Sequence, residues 1–206
     1  IFKNKKYSVG SCNHSDICTF SFHPLKTITT GEGGALTTNK KSIYDLIKVY
    51  RSHGIKRGKS HWQYDVLDFA MNHRLSDINC ALGISQMEKI NTFIKERQKI
   101  VKNYLSFLSK FEKYVTVPFT SFDKLSSGHL FVISINFKNL NSDKNNMFKF
   151  FNKHGIYLQQ HYIPIYKFSI FQENLSRLSG SDNYYNNSIS IPIFAKLSNK
   201  NQIKVI

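Results

Sequence analysis

Cysteine is scarce. Cys12, Cys18 and Cys80 are three in 206 residues, an odd number at spacings that build neither a disulfide framework nor a zinc knuckle. A cross-linked secreted scaffold is thereby excluded, and a reducing cytoplasm is the expected location. The histidines offer no HExxH pair and no short paired spacing, which argues against a metal site. No apolar run approaches the roughly 20 residues that span a bilayer, and no charged-then-apolar leader opens the chain, so no membrane attachment is expected. Internal repeats and low-complexity tracts are absent. "GIKRGK" lacks the spacing of a phosphate loop, and "GEGG" lacks the third glycine of a dinucleotide fingerprint. Acidic residues are few, 13 against 29 Lys and Arg, for a formal charge of +16. A nucleic-acid module would cluster that charge to release counterions from phosphates. Here it is spread through "FKNKKY", "NKKS", "KERQKIVKN" and "DKNNMFKF", on what would be solvated helix faces and loops, so no nucleic-acid partner is expected.

What is present suits a globular protein. Apolar residues make up 41%, and the length allows one large domain or two small ones. The chain opens at Ile1 and closes on "NQIKVI", the start of an amphipathic helix, so both ends read as truncations. "ICTFSF" alternates, with Phe20 and Phe22 on one face and Thr19, Ser21 and His23 on the other, which predicts a strand over 17–22. Pro24 pushes His23 to extended geometry and keeps Lys26 in a loop. "GEGGALTTN" adds glycines for close approach and a second strand over 35–38. Ile43, Leu46, Ile47 and Tyr50 predict a helix over 42–53, with Asn39 as a possible cap and Gly54 as a stop. "KRGKSHWQYD" reads as an exposed loop. Ser76 and Asp77 open a long helix, bent near Gly83. "YVTVPF", "HLFVISINF", "GIYLQQHYIPI" and "SISIPIF" read as strands, with helices over 147–153 and 175–187 between them. The expected division is 1–75, the 76–111 connecting helix, and a small α+β domain over 112–206.

Lys26 stands out by its setting. A lone loop lysine is ordinarily a solvated charge, but a loop fixed between two strands can deliver an amine into a cleft. A lysine that forms a Schiff base must lose a proton from a group whose ordinary pKa is about 10.4.

The segments "DICTFSFHPLKTITTGEGGALTTN", "RSHGI", "NHRLSDINCALGISQMEKI", "QQHYIPIY" and "SISIPIF", in this order over nearly the whole chain, resemble the DegT/StrS family of pyridoxal-phosphate sugar aminotransferases. "WQYDVLDFAMNHRLSD" is further similar to the branch that aminates carbon 4 of a UDP-linked 4-keto-6-deoxy-N-acetylhexosamine on the way to pseudaminic acid, for surface glycans or flagellin. The resemblance implies an α/β protein, a fold type I PLP-dependent transferase, with part of the large domain followed by the small C-terminal domain. It implies pyridoxal 5'-phosphate as cofactor, L-glutamate as amino donor and a homodimer.

Residue by residue, Lys26 matches the family's Schiff-base lysine and Ser21 the serine that holds the cofactor phosphate. Asn72 matches the asparagine that reaches the same phosphate across the dimer. Arg74 lies beside it at a helix start, where free amides favour anions, and is expected to bind substrate together with His161 and Tyr162, which match the strand that faces the sugar nucleotide. Without the resemblance, Ser21 reads as a strand filler, Asn72 as a loop polar group, Arg74 as a surface charge, and His161 with Tyr162 as a packed core pair. The family's pyridine-pairing aspartate, ring-packing group and phosphate loop match nothing here, so the chain alone is expected to be an incomplete catalyst. Alternatives are an aminotransferase for another nucleotide-linked keto sugar or a non-catalytic remnant of the family. Dehydratases of the same fold carry histidine at the lysine position, and Lys26 argues against them.

Overall fold

The computed structural model describes residues 5–118, 126–171 and 176–206. Two compact units follow one another along the chain, Ile1–Ile90 and Asn91–Ile206.

In the first unit, β1 (Cys18–Ser21) pairs antiparallel with β2 (Gly34–Thr37), from Cys18 opposite Thr37 to Ser21 opposite Gly34. The predicted alternation is observed: Cys18 and Phe20 are half-buried while Thr19 and Ser21 are exposed. Gly34 permits the close pairing, since a Cβ there would lie 2.6 Å from the Phe20 carbonyl oxygen. The preceding turn is tied to β2, with Thr37 Oγ1 donating to the Gly10 carbonyl at 2.8 Å.

Helix α1 (Lys41–Tyr50) starts after Lys40 without a side-chain cap. Asn39 is not the cap expected from its position, because its amide donates to the Ser11 carbonyl at 2.9 Å. The helix ends where foreseen: Gly54 adopts φ +70° and donates its N–H to Val49 O at 3.0 Å, the left-handed closure that glycine favours.

"KRGKSHWQYD" is not a plain loop. It contains most of an antiparallel hairpin, β3 (Ile55–Arg57) with β4 (Tyr64–Val66). All of β4 is exposed, so no buried face imprinted a period of two on its sequence.

Two helices, α2 (Asp77–Glu88) and α3 (Ile90–Leu108), replace the single bent one. The interruption falls at Lys89, not at Gly83. Gly83 lies inside α2, and its missing side chain serves packing: a Cβ there would lie 2.8 Å from Thr30 Cγ2.

The second unit is built on the antiparallel sheet β5-β6-β7, with β5 Val115–Thr116, β6 Phe131–Ile135 and β7 Ser188–Ile191. Phe131, Ile133 and Ile135 of β6 and Ile189 and Ile191 of β7 meet Ile100, Val101 and Tyr104 of α3 in one core. Each such side chain stabilises the fold by roughly 1.5–3 kcal/mol. Around them lie α4 (Lys144–Lys153), α5 (Ser179–Asn187) and α6 (Asn199–Val205). The helix expected over 175–187 thus begins later, and position 175 itself lies outside the described residues. "GIYLQQHYIPI" forms no full strand. Only Gln159 bridges to Ser190, through hydrogen bonds of 3.0 and 2.7 Å, and Pro164, which has no N–H, follows soon after.

Two basic runs assigned to solvated surfaces each contain an exception. Arg97 of α3 is 6% exposed, and Lys144 of α4 is half-buried. Arg97 Nη1 donates to the carbonyls of Gly128, His129 and Ile193, each at 3.2 Å. Burial pulls its pKa down.

Candidate active site

The segment carrying Lys26 is closed by backbone chemistry on the residue that follows β1. Phe22 N–H donates to Gly33 O at 2.9 Å, and Phe22 O accepts the Thr30 N–H at 3.1 Å and the Thr29 hydroxyl at 2.9 Å. Within this closed loop, Lys26 N–H donates to His23 O at 2.9 Å, making a turn with Pro24 inside it. Lys26 stands at the end of that turn, half-buried, and its ammonium forms no ion pair with a described residue. The adjacent His23 imidazole accepts the Leu25 N–H at 3.3 Å and lies 4.0 Å from the Glu32 carboxylate.

Ser21 ends β1 on its exposed face, five residues before the lysine. Its Oγ accepts the His23 N–H at 3.4 Å, so its hydroxyl proton is available to an outside acceptor. An exposed hydroxyl at the end of β1 and a half-buried primary amine at the end of the turn that follows it fit a cofactor that bears a phosphate and an aldehyde.

Asn72 and Arg74 occupy the segment leading into α2. The Ser52–Asn72 bridge ties that segment to the residues after α1, with His73 N–H donating to Arg51 O at 2.9 Å and His53 N–H to Met71 O at 3.1 Å. Asn72 is exposed, and its Oδ1 accepts the Arg74 N–H at 3.2 Å, which leaves its side-chain amide protons without a partner among the described residues. Upstream, the Tyr50 hydroxyl donates to the Asp68 carboxylate; this bond and the Phe69 N–H hold the Asp68 pKa below the usual carboxylate range. Helix α2 then begins with Ser76 Oγ accepting the Asn79 N–H at 3.3 Å. Lys26, Ser21, Asn72 and Arg74 therefore all belong to the first unit.

His161 and Tyr162 belong to the second. The His161 Nδ1 is 2.7 Å from the Ser190 hydroxyl, and its ring meets that of Tyr162 edge-on at 4.7 Å. Tyr162 is 66% exposed, so the two do not form the packed core pair that was one reading of the sequence. Among the described residues, no group of three or more His, Cys, Asp or Glu could hold a metal ion.

Sequence reasoning missed the supports of the lysine loop: Thr30, Asn79 and Gly83. Asn79 Nδ2 donates to the carbonyls of Thr30 and Glu32. The only signal in the sequence was the spacing of Ser76, Asn79 and Gly83, which read simply as a cap followed by a weak point in a helix.

Known proteins share this organisation. A UDP-4-amino-4,6-dideoxy-N-acetyl-beta-L-altrosamine transaminase of Campylobacter jejuni is 38% identical over 201 residues, which cover 97% of this chain and 52% of that protein. The Helicobacter pylori protein of the same description is 33% identical over 199 residues, 96% of this chain and 51% of that protein. The solved structure of Helicobacter pylori PseC, an aminotransferase involved in the biosynthesis of pseudoaminic acid, superposes with a TM-score of 0.88 at 31% identity over 100% of this chain and 54% of that one. A Streptococcus pneumoniae sugar-aminotransferase structure solved in a PMP-form shares the fold, with a TM-score of 0.83 at 22% identity over 95% of this chain and 52% of that one. The chain spans about half the length of the relatives it matches. Its α/β fold is that of the fold type I PLP-dependent aminotransferases. The sequence model of the DegT/DnrJ/EryC1/StrS aminotransferase family matches residues 3–206, and the chain belongs to that family.

Proposed function

We propose that the full-length protein containing this chain is a pyridoxal-phosphate-dependent aminotransferase acting on carbon 4 of a UDP-linked 4-keto-6-deoxy-N-acetylhexosamine, with L-glutamate as donor. The observation that carries this reading is the fixed turn that presents Lys26 between β1 and β2, in a chain similar to transaminases of UDP-linked amino sugars. When bound, the cofactor supplies a carbonyl for amines and an electron sink for the carbon that loses its proton.

The chain's own residues divide the remaining work. Lys26 would hold the cofactor through its amine, and the same amine, when free, would serve as the acid and base that moves a proton at the reacting carbon of the donor and, in reverse, of the keto sugar. Ser21 holds the phosphate through its hydroxyl proton. Asn72 offers its amide to the phosphate of a second subunit's site in a homodimer, and Arg74 binds the substrate through its positive charge. His161, fixed by Ser190, and Tyr162 orient the sugar nucleotide. A cytoplasmic location suits a nucleotide-sugar substrate; no helix among the described residues is long and apolar enough to cross a membrane.

Borohydride reduction of the full-length protein loaded with pyridoxal phosphate, followed by peptide mapping, tests the assignment. The label is expected on Lys26, and a label on a different lysine sinks it. Assays with other nucleotide-linked keto sugars separate the UDP-sugar reading from its neighbours.

A further inference from the structure

We infer that α2 is a clasp for the lysine loop, and that Asn79 and Gly83 are positioning residues which fix the base through Thr30. This rests on Lys26 being the reactive lysine.

Thr30 is 4% exposed and every part of it is engaged. Its N–H donates to Phe22 O at 3.1 Å, its hydroxyl to Glu32 O at 2.8 Å, and its carbonyl accepts Asn79 Nδ2. Its methyl group lies over Gly83, where a Cβ would come to 2.8 Å. Asn79 and Gly83 are four residues apart on a helix and so share a face. The Asn79 amide has one satisfactory orientation, because its Nδ2 faces two carbonyls while its Oδ1 accepts the Ser76 hydroxyl at 2.5 Å.

Two consequences follow from this arrangement. The loop that presents Lys26 cannot slide along β1 without breaking the Asn79 bonds or lifting the Thr30 methyl from the helix. The same helix begins at Asp77, three residues after Arg74, so one element adjoins both the lysine loop and the segment that carries Asn72. A hydroxyl, an amide and an absent side chain at these positions are more than a helix needs for itself.

The test uses the full-length, cofactor-loaded protein. Asn79→Ala is expected to speed amide exchange at Lys26, Thr30 and Gly31 about tenfold. It is also expected to lower kcat about tenfold, short of the roughly hundredfold that a full 1 Å misplacement can cost, with KM for the sugar nucleotide within about twofold of wild type. Gly83→Ala is expected to lower kcat similarly. Adding Thr30→Ser, which removes the methyl and keeps the hydroxyl, is expected to restore kcat to within twofold.

If Asn79→Ala fails to fold, the Gly83 and Thr30 pair decides, and absence of rescue overturns the clasp. Exchange or kcat unchanged in a folded Asn79→Ala also overturns it. Borohydride labelling of wild type is read separately: Lys26 labelled with unaffected variants removes the clasp alone, whereas a label elsewhere removes the reading beneath it.

Discussion

Lys144 shows what one half-buried charge does. Its ammonium donates to Gln160 Oε1 at 2.6 Å and to the Tyr185 carbonyl, and lies 4.9 Å from the centre of the Tyr185 ring. Burial first, and then the Lys167 ammonium nearby, pull its pKa down to about 8. Below that value both the folded and unfolded lysine are charged, and the fold carries the whole cost of the buried ammonium. Between about 8 and the ordinary lysine value the unfolded chain holds more protons, so this residue's contribution to stability rises with pH. The melting temperature of wild type is therefore expected to gain on that of Lys144→Met from pH 8 to 10, measured in parallel melts; a constant gap contradicts the burial. Nothing in "DKNNMFKF" distinguishes Lys144 from its solvated neighbours. The strand that ends at Ser21 and the turn that ends at Lys26 were legible because a proline, the glycines and a two-residue alternation act locally, whereas the roles proposed for the two residues came from the family resemblance alone. Asn79 was not, because its partner Thr30 lies 49 residues away.

Among elements, α3 illustrates how a helix can be read correctly in outline and wrongly in detail. Ile100, Val101 and Tyr104 recur at helical spacing and are buried as that spacing demands. Arg97 falls on the same stripe, and its place is explained only by carbonyls from Gly128, His129 and Ile193, which no local pattern foretells. Tyr104 follows the same logic, donating its hydroxyl to Pro192 O at 2.8 Å while burial pushes its pKa up. Arg97→Met keeps most of the stem and removes the donors, leaving one buried and two half-buried carbonyls short of a partner. The expected cost is about 3 kcal/mol, read as a lower denaturation midpoint of the full-length protein. A midpoint equal to wild type would show that water can replace the guanidinium. The hairpin β3–β4 was missed for the opposite reason, since a ladder exposed on β4 leaves no apolar alternation to read.

For the whole molecule, the proposed homodimer makes a specific demand: the site of one subunit takes its lysine from itself and its asparagine from the other. Mixed subunits of Lys26→Ala and Asn72→Ala, each inactive alone, are expected to regain part of the wild-type turnover, because one of the two sites in the mixed dimer has both groups intact. No recovery in a verified mixed dimer argues that Asn72 serves its own subunit. The α/β class was legible through the family resemblance, and changes of period along the chain marked several of its strands and helices. The sequence did not reveal the change from one unit to the next within the helical stretch, because Lys89 is an ordinary residue that ends a helix by its backbone alone, as a C-cap in right-handed conformation.

The consequence of that joint is genealogical. Each unit is an unbroken piece of sequence, Ile1–Ile90 and Asn91–Ile206, so a genetic crossover between codons 90 and 91 separates them without cutting into either. The lysine turn and its clasp would be inherited together on one side, and His161, Ser190 and the sheet that fixes them on the other. Recombination at this place preserves both sets of internal hydrogen bonds, giving descendants a route to trade the His161 side of the molecule without disturbing the turn that holds Lys26.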